Sequence, residues 1–159
     1  MARYIAFLRA INVGGHIVKM ERLRSLFEEL GFDNVETFIA SGQVIFDTRA
    51  TDPGKLEAKI EKHLRAALGY DVATFLRTPE QLRKIAKIAR PDGRTLYVCF
   101  TRQRPAKAAQ DKLSTYNDDT NEFAVHGTEI YWYRRGGLSD TKFTGALLEK
   151  IIGMPATAR

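Results

Sequence analysis

The sequence predicts an α+β protein made of two βαββα(β) halves with antiparallel or mixed sheets. Three observations predict it. Strand-like and helix-like apolar patterns follow one another in the same order twice along the 159 residues. Each half opens on a run that is apolar at every position, residues 4–8 and 96–100. Each half also contains a short turn, at Ser41-Gly42 and at Gly127-Thr128, flanked by strand-like segments and followed by a helical pattern. At 44% apolar and 28% charged residues the chain has an ordinary globular composition, suited to one domain or two small subdomains.

Residues 3–9 read as a strand. A loop over 10–19 with Gly14-Gly15 leads to a helix over 20–30, whose Met20, Leu23, Leu26, Phe27 and Leu30 share a face, with Gly31 as its stop. Strands over 35–40 and 43–48 make a hairpin. Asp52-Pro53 starts a helix carrying Leu56, Ile60, Leu64 and Leu68, ended by Gly69, and residues 72–77 form a fourth strand. This βαββαβ order is the ferredoxin-like one. Thr78-Pro79-Glu80-Gln81 holds the parts of a capping box and starts a helix to about residue 89, broken by Pro91-Asp92-Gly93. The order then restarts: a strand over 94–101, a helix over 105–113, strands over 121–126 and 129–134, and a helix over 143–152 stopped by Gly153, without a final strand. The predicted division is a first subdomain over 1–78, a connector over 79–93 and a second subdomain over 94–159. The order repeats, but no residue-level repeat is evident. Runs apolar at every position are expected to be covered on both faces of their sheets.

Cys99 is the single cysteine, which excludes an internal disulfide, and no Cys/His spacing fits zinc. No metal and no cofactor is expected. The longest apolar runs are too short for a membrane span or a signal-peptide core, so the expected compartment is the cytoplasm and no membrane partner is expected.

Net charge is +6. Over residues 1–80 basic and acidic side chains cancel, and the excess lies in 81–159. There Arg83, Lys84, Lys87, Arg90, Arg94, Arg102, Arg104 and Lys107 face one acid, Asp92. Such a field attracts phosphate; a plain solvated surface is the alternative.

Topology converts spacing into geometry. In a βαββαβ sheet the loop leaving the first strand and the turn between the second and third lie at one sheet end. That places Arg9, Asn12, Gly14, Gly15 and His16 near Ser41, Gly42 and Gln43. Glycine backbone N–H groups hold anions, a guanidinium forks onto phosphate or carboxylate, and the amides of Asn12 and Gln43 add donors and acceptors. Loop architecture is the competing explanation. No Walker or G-x-G-x-x-G spacing is present. A second candidate anion site comprises Arg134, Arg135, Ser139 and Lys142, ahead of the helix expected at 143, unless Asp140 caps that helix and takes its donors. No catalytic residue can be assigned: His16, His63 and His126 have no recognisable hydrolase partners. Cys99 reads as core, and Tyr131, Trp132 and Tyr133 read as core or as base-stacking rings.

The stretches LRAINVGG (8–15), MERLR (20–24) and GFDNVETFIASGQVIF (31–46), with SDTKF (139–143), LEKIIG (148–153) and TAR (157–159), resemble a bacterial family catalogued as domain of unknown function 1697. The resemblance spans nearly the whole chain. It implies an α+β fold of ferredoxin-like character and supplies no activity, cofactor or catalytic residue. Its motif contains the same 9–15 and 41–43 segments. Ala10 stands where the family pattern has Gly, Gln43 where it has Asn, and the pattern continues through Asn-Trp past the position of Arg159.

The expected function is a binding module for a phosphate-bearing small molecule or nucleic acid. Two alternatives stand beside it. One is a small enzyme using Arg9, Asn12 and Gln43 to stabilise an anionic transition state, with Ser41 and His16 nearby. The other is an interaction protein whose doubly apolar strands mark a homodimer face.

Overall fold

The structure, a computed structural model, describes residues 1–11, 17–38, 42–88, 94–135 and 143–159. The element order is β1 (Ala2–Leu8), α1 (Met20–Glu28), β2 (Asp33–Phe38), β3 (Gln43–Thr48), α2 (Pro53–Leu68), β4 (Thr74–Arg77) and α3 (Pro79–Ala86), then β5 (Thr95–Phe100), α4 (Lys107–Ser114), β6 (Asn121–His126), β7 (Glu129–Arg134), α5 (Gly145–Ile152) and β8 (Thr157–Ala158). The fold is α+β with two four-stranded antiparallel sheets, ordered β2-β3-β1-β4 and β6-β7-β5-β8. The chain divides into two compact units, Met1–Lys87 and Ile88–Arg159, so α3 belongs to the first.

Capping explains several boundaries. Asp52 accepts the Lys55 N–H at the start of α2, and Thr78 with Gln81 forms a reciprocal capping box on α3. Gly69 and Gly153 end α2 and α5 in the left-handed conformation. Two expectations are corrected. The helix expected at 143 starts at Gly145, because Thr144 caps it by accepting the Leu147 N–H; Asp140, the expected cap, lies outside the described residues. The second half also has a final strand, β8, too short to show as a pattern; Arg159 extends its pairing through reciprocal backbone bonds of 3.0 Å with Val98.

In the first unit Tyr4, Ala6, Leu8, Val44 and Phe46 pack against Leu23, Phe27, Ile60 and Leu64 of the helices. In the second, Cys99, Ile130, Trp132 and Phe123 pack with Leu113, Phe143 and Leu148. Alternate residues of β1, Ile5 and Phe7, are buried as well, as are Phe75 on β4 and Tyr131 and Tyr133 on β7. Both faces of β1 are therefore covered, which explains its uninterrupted apolar run, whereas Leu96, Tyr97 and Val98 of the run on β5 are only half-buried.

Strand register sets corresponding positions of the two sheets side by side. Phe7 pairs with Gln43, and Phe100 pairs with Glu129. One residue on, the Leu8 N–H donates to Gly42 O at 2.9 Å and the Thr101 N–H to Thr128 O at 3.0 Å. Aligned on these pairs, Tyr-Ile-Ala-Phe-Leu-Arg (4–9) matches Tyr-Val-Cys-Phe-Thr-Arg (97–102). The matched tyrosines each meet a cross-strand ring, Tyr4 with Phe46 at 6.0 Å and Tyr97 with Trp132 at 5.9 Å. Three of these six aligned positions are identical, Tyr4 with Tyr97, Phe7 with Phe100 and Arg9 with Arg102. The register also equates Arg77, opposite Ile5, with Arg159, bonded to Val98. Each turns Nη1 back onto the preceding carbonyl, at 2.8 and 2.9 Å.

Candidate functional site

The first candidate lies where β1 ends. Leu8 is held to Gly42 on one side, and the Arg9 N–H donates to Ala73 O at 2.9 Å on the other. Arg9 follows the Phe7–Gln43 pair by two residues, so Arg9, Gly42 and Gln43 share one end of the first sheet, as topology predicts. Arg9 and Gln43 are half-buried. Asn12, Gly14, Gly15, His16 and Ser41 lie outside the described residues.

Two backbone features here serve architecture. Gly42 has φ +83°, and a Cβ on it would sit 2.5 Å from Ile11 Cγ2 and 3.3 Å from Leu8 Cβ. Its glycine is therefore required by conformation and by close packing, whether or not a ligand approaches. Ala10 adopts φ +53°, a left-handed conformation that accounts for the family's Gly at that position. The Tyr70 hydroxyl donates to Ile11 O at 2.9 Å, pinning the loop beyond Arg9, and burial pushes that phenol above its ordinary pKa.

The two described residues of the second candidate differ in burial. Arg134 is fully buried, opposite both Thr95 and Asn121, with its guanidinium 5.3 Å from the Trp132 ring centre. Arg135 is exposed and donates its backbone N–H to Thr120 O at 2.9 Å. With Arg94, Asp118, Asp119 and Thr120 it lines a cavity of about 470 Å³. An adjoining cavity of about 350 Å³ is lined by Arg94, Asn117, Asp118 and Glu122. Ser139 and Lys142 lie outside the described residues. Here Asp118 and Glu122 are already engaged. Asp118 Oδ1 accepts the Thr120 and Asn121 N–H groups at 2.8 and 2.7 Å, and Glu122 is ion-paired with Arg94. Among the described residues lining these cavities, the acids Asp118, Asp119 and Glu122 outnumber the bases Arg94 and Arg135. Sequence reasoning missed these acids because they lie about a hairpin's length upstream, and only the β6–β7 pairing returns them beside Arg135.

The remaining candidates divide. Cys99 is completely buried and its thiol is pushed up to about 12 by that burial, so it is not a nucleophile in the folded protein. Tyr131, Trp132 and Tyr133 are all buried, and the Trp132 indole donates to Asn121 Oδ1 at 2.8 Å; these rings serve packing rather than base stacking. His63 sits 2.9 Å from Glu29 Oε2 on the helical surface. Among the described residues, no group of His, Cys, Asp or Glu is arranged to hold a metal ion, and no helix is long and apolar enough to cross a membrane. Of the basic stretch, Arg83, Lys84, Lys87, Arg102, Arg104 and Lys107 are exposed, Lys107 lying 3.2 Å from Asp111.

The fold is similar to that of a conserved bacterial protein from Streptococcus pneumoniae, with a TM-score of 0.72 at 22% identity over 100% of this chain and 92% of the other. No curated protein matches the sequence. A family model described as protein of unknown function (DUF1697) matches residues 1–131, and the chain belongs to that family.

Proposed function

We propose that this protein is a cytoplasmic binding module for a phosphate-bearing ligand, a nucleotide or RNA, held at the end of the first sheet by Arg9, Gln43 and the segments 12–16 and 41–42. The observation that carries this reading is the fixed backbone of Arg9. It is clamped by the Leu8–Gly42 bond on one flank and by its own bond to Ala73 on the other. A backbone already fixed spares the cost of ordering the loop when its guanidinium forks onto phosphate. Support also comes from α1, the helix that follows this loop. Its N-cap is Lys19 with no side-chain cap, whereas α2, α3 and α5 are capped by Asp52, Thr78 and Thr144. We propose further that the two halves arose by duplication, on the strength of the shared register and the matched hexapeptides.

Thermal unfolding of the parent and Arg9→Lys proteins, with nucleotides, phosphosugars and short RNAs, tests the reading. A true ligand raises the parent's midpoint as its concentration exceeds Kd. Arg9→Lys keeps the charge and loses the fork, so it should bind about tenfold more weakly or worse while its ligand-free midpoint stays near the parent's. A ligand-free midpoint several degrees lower, with neither protein responding to any ligand, would make Arg9 an architectural residue.

A further inference from the structure

One register row crosses the whole first sheet. Phe38 of β2 pairs with Gln43 of β3, Gln43 with Phe7 of β1, and Phe7 with Phe75 of β4. Paired residues point to the same face of a sheet. Here α1 and α2 pack on the opposite face, against Tyr4, Ala6, Leu8, Val44 and Phe46. The row therefore sets three phenyl rings and one amide on the face away from those helices. Burial is uneven along it: Phe75 is 1% exposed and Phe7 6%, while Phe38, on the edge strand, is 44% exposed. Among the described residues Phe38 meets no other ring, and the Gln43 side chain makes no hydrogen bond. Large exposed apolar side chains are few: Met1 at the chain start, Ile17 and Phe38. Ile17 and Phe38 border the segments 12–16 and 39–41, which follow β1 and β2 at this sheet end.

We infer that Phe38 and Gln43 form the base-binding part of the proposed site, and that its ligand is an adenine mononucleotide. A nucleobase is a flat ring with donors and acceptors only at its edge, so it takes an apolar platform and a polar partner beside it. Phe38 offers the platform. Gln43, on the adjoining strand with its Cα about 5 Å away, offers an amide donor and acceptor together. That pair matches adenine, which presents the N6 donor beside the N7 acceptor. Guanine presents two acceptors there and would leave the amide oxygen facing another oxygen. Further along the row Phe7 and Phe75 are already buried, so no second open ring continues the stack among the described residues. Strand binders stack successive bases on successive rings; one open ring takes one base. Arg9 follows Phe7 by two residues, which puts base and phosphate positions at the same sheet end. The base position stands on Phe38 and Gln43; for the phosphate it rests on the proposed role of Arg9.

The test is isothermal titration calorimetry of the parent, Phe38→Ala, Phe38→Leu and Gln43→Glu proteins. The probes are adenosine monophosphate, guanosine monophosphate, adenosine, ribose 5-phosphate and adenylate trinucleotide. The parent should bind adenosine monophosphate about tenfold more tightly than guanosine monophosphate or ribose 5-phosphate. Both Phe38 variants should lose about that factor for adenosine monophosphate and keep the parent's affinity for ribose 5-phosphate. Phe38→Leu retains apolar volume without the ring, so its loss cannot be laid to the strand, and its unfolding midpoint should stay level with the parent's. Gln43→Glu, which has no amide donor, should lose the preference for adenine. Ribose 5-phosphate binding as tightly as adenosine monophosphate, with both Phe38 variants matching the parent, would overturn the inference and leave the phosphate site standing. Adenosine binding as tightly as its monophosphate would support the base position and remove the phosphate one. No binding by any probe would remove both. A trinucleotide held about tenfold more tightly than the mononucleotide would overturn the assignment to a single base.

Discussion

At Ala10 a side chain is held at φ +53°, where a Cβ costs roughly 1–2 kcal/mol relative to right-handed backbone. Nothing in the local residues announces this; only the family pattern, with Gly at that position, hints at it. Ala10→Gly should therefore stabilise the protein by about 0.5–1 kcal/mol, the relief of strain exceeding the extra freedom gained by the unfolded chain. Gly42→Ala should do the reverse and by more, about 2 kcal/mol or above, because φ +83° and a 2.5 Å approach to Ile11 act together. Urea unfolding of both variants checks the pair, and a stabilised Gly42→Ala would contradict the packing described around Ile11. Asn34 shows a left-handed residue that the chain accommodates more easily. Its φ of +51° falls beside the irregularity in the β2–β3 pairing, and its amide donates to Asp47 Oδ2 at 2.9 Å.

At the level of elements, the outer strands of the two sheets are treated alike. β4 is an edge strand, and two of its outward N–H groups are taken by one helix: Glu61 Oε2 accepts from Thr74 and Glu57 Oε2 from Leu76, both at 2.9 Å. In the second half Glu149 Oε2 accepts the Ala156 N–H at 3.0 Å, the register counterpart of Thr74. Edge N–H groups satisfied this way do not recruit another strand. Glu57 is itself 5% exposed, so Glu57→Ala leaves a buried donor unsatisfied and should cost about 1–3 kcal/mol. Glu57→Gln keeps an acceptor oxygen and should cost less. Amide exchange at Leu76 should quicken in the alanine variant; unchanged exchange there would show that Glu57 does not guard this edge. The roles of Glu57 and Glu61 are not legible in the sequence, because the partner N–H groups belong to a strand met only after the helix ends.

For the whole molecule, burial stores protons. Cys99 is pushed up from 9.0 to about 12 by burial, and Tyr131 from 10.0 to about 12 by burial first and then by Glu129 and Tyr133. Both groups stay neutral in the folded state while the unfolded chain ionises near the ordinary values. Their contribution is therefore fully present below about pH 9 and is lost as pH rises toward about 12. The unfolding midpoint should fall across that window, and less steeply in Cys99→Ala. A midpoint that stays flat beyond about pH 11 would show that neither group is shifted in this way.

What the sequence determined by itself was the α+β class, the order of all but the last element, and which end of the first sheet carries Arg9 and Gln43. These follow from local information: apolar periodicity, caps such as Asp52 and Thr78, and the rule that a strand–helix–strand unit leaves room for a third strand between its two strands. Tertiary structure decided the rest. β8 is two residues long and is a strand only because β5 offers it an edge. Arg134 reads as a surface cation beside Arg135, yet pairing with β5 and β6 buries it over Trp132. The match of residues 4–9 to 97–102 is short and diluted by unequal loops, so it emerges only when hydrogen-bond register aligns Phe7 with Phe100. Local pattern sets what an element is, whereas burial, charge neighbourhood and equivalence between distant segments depend on which strands meet.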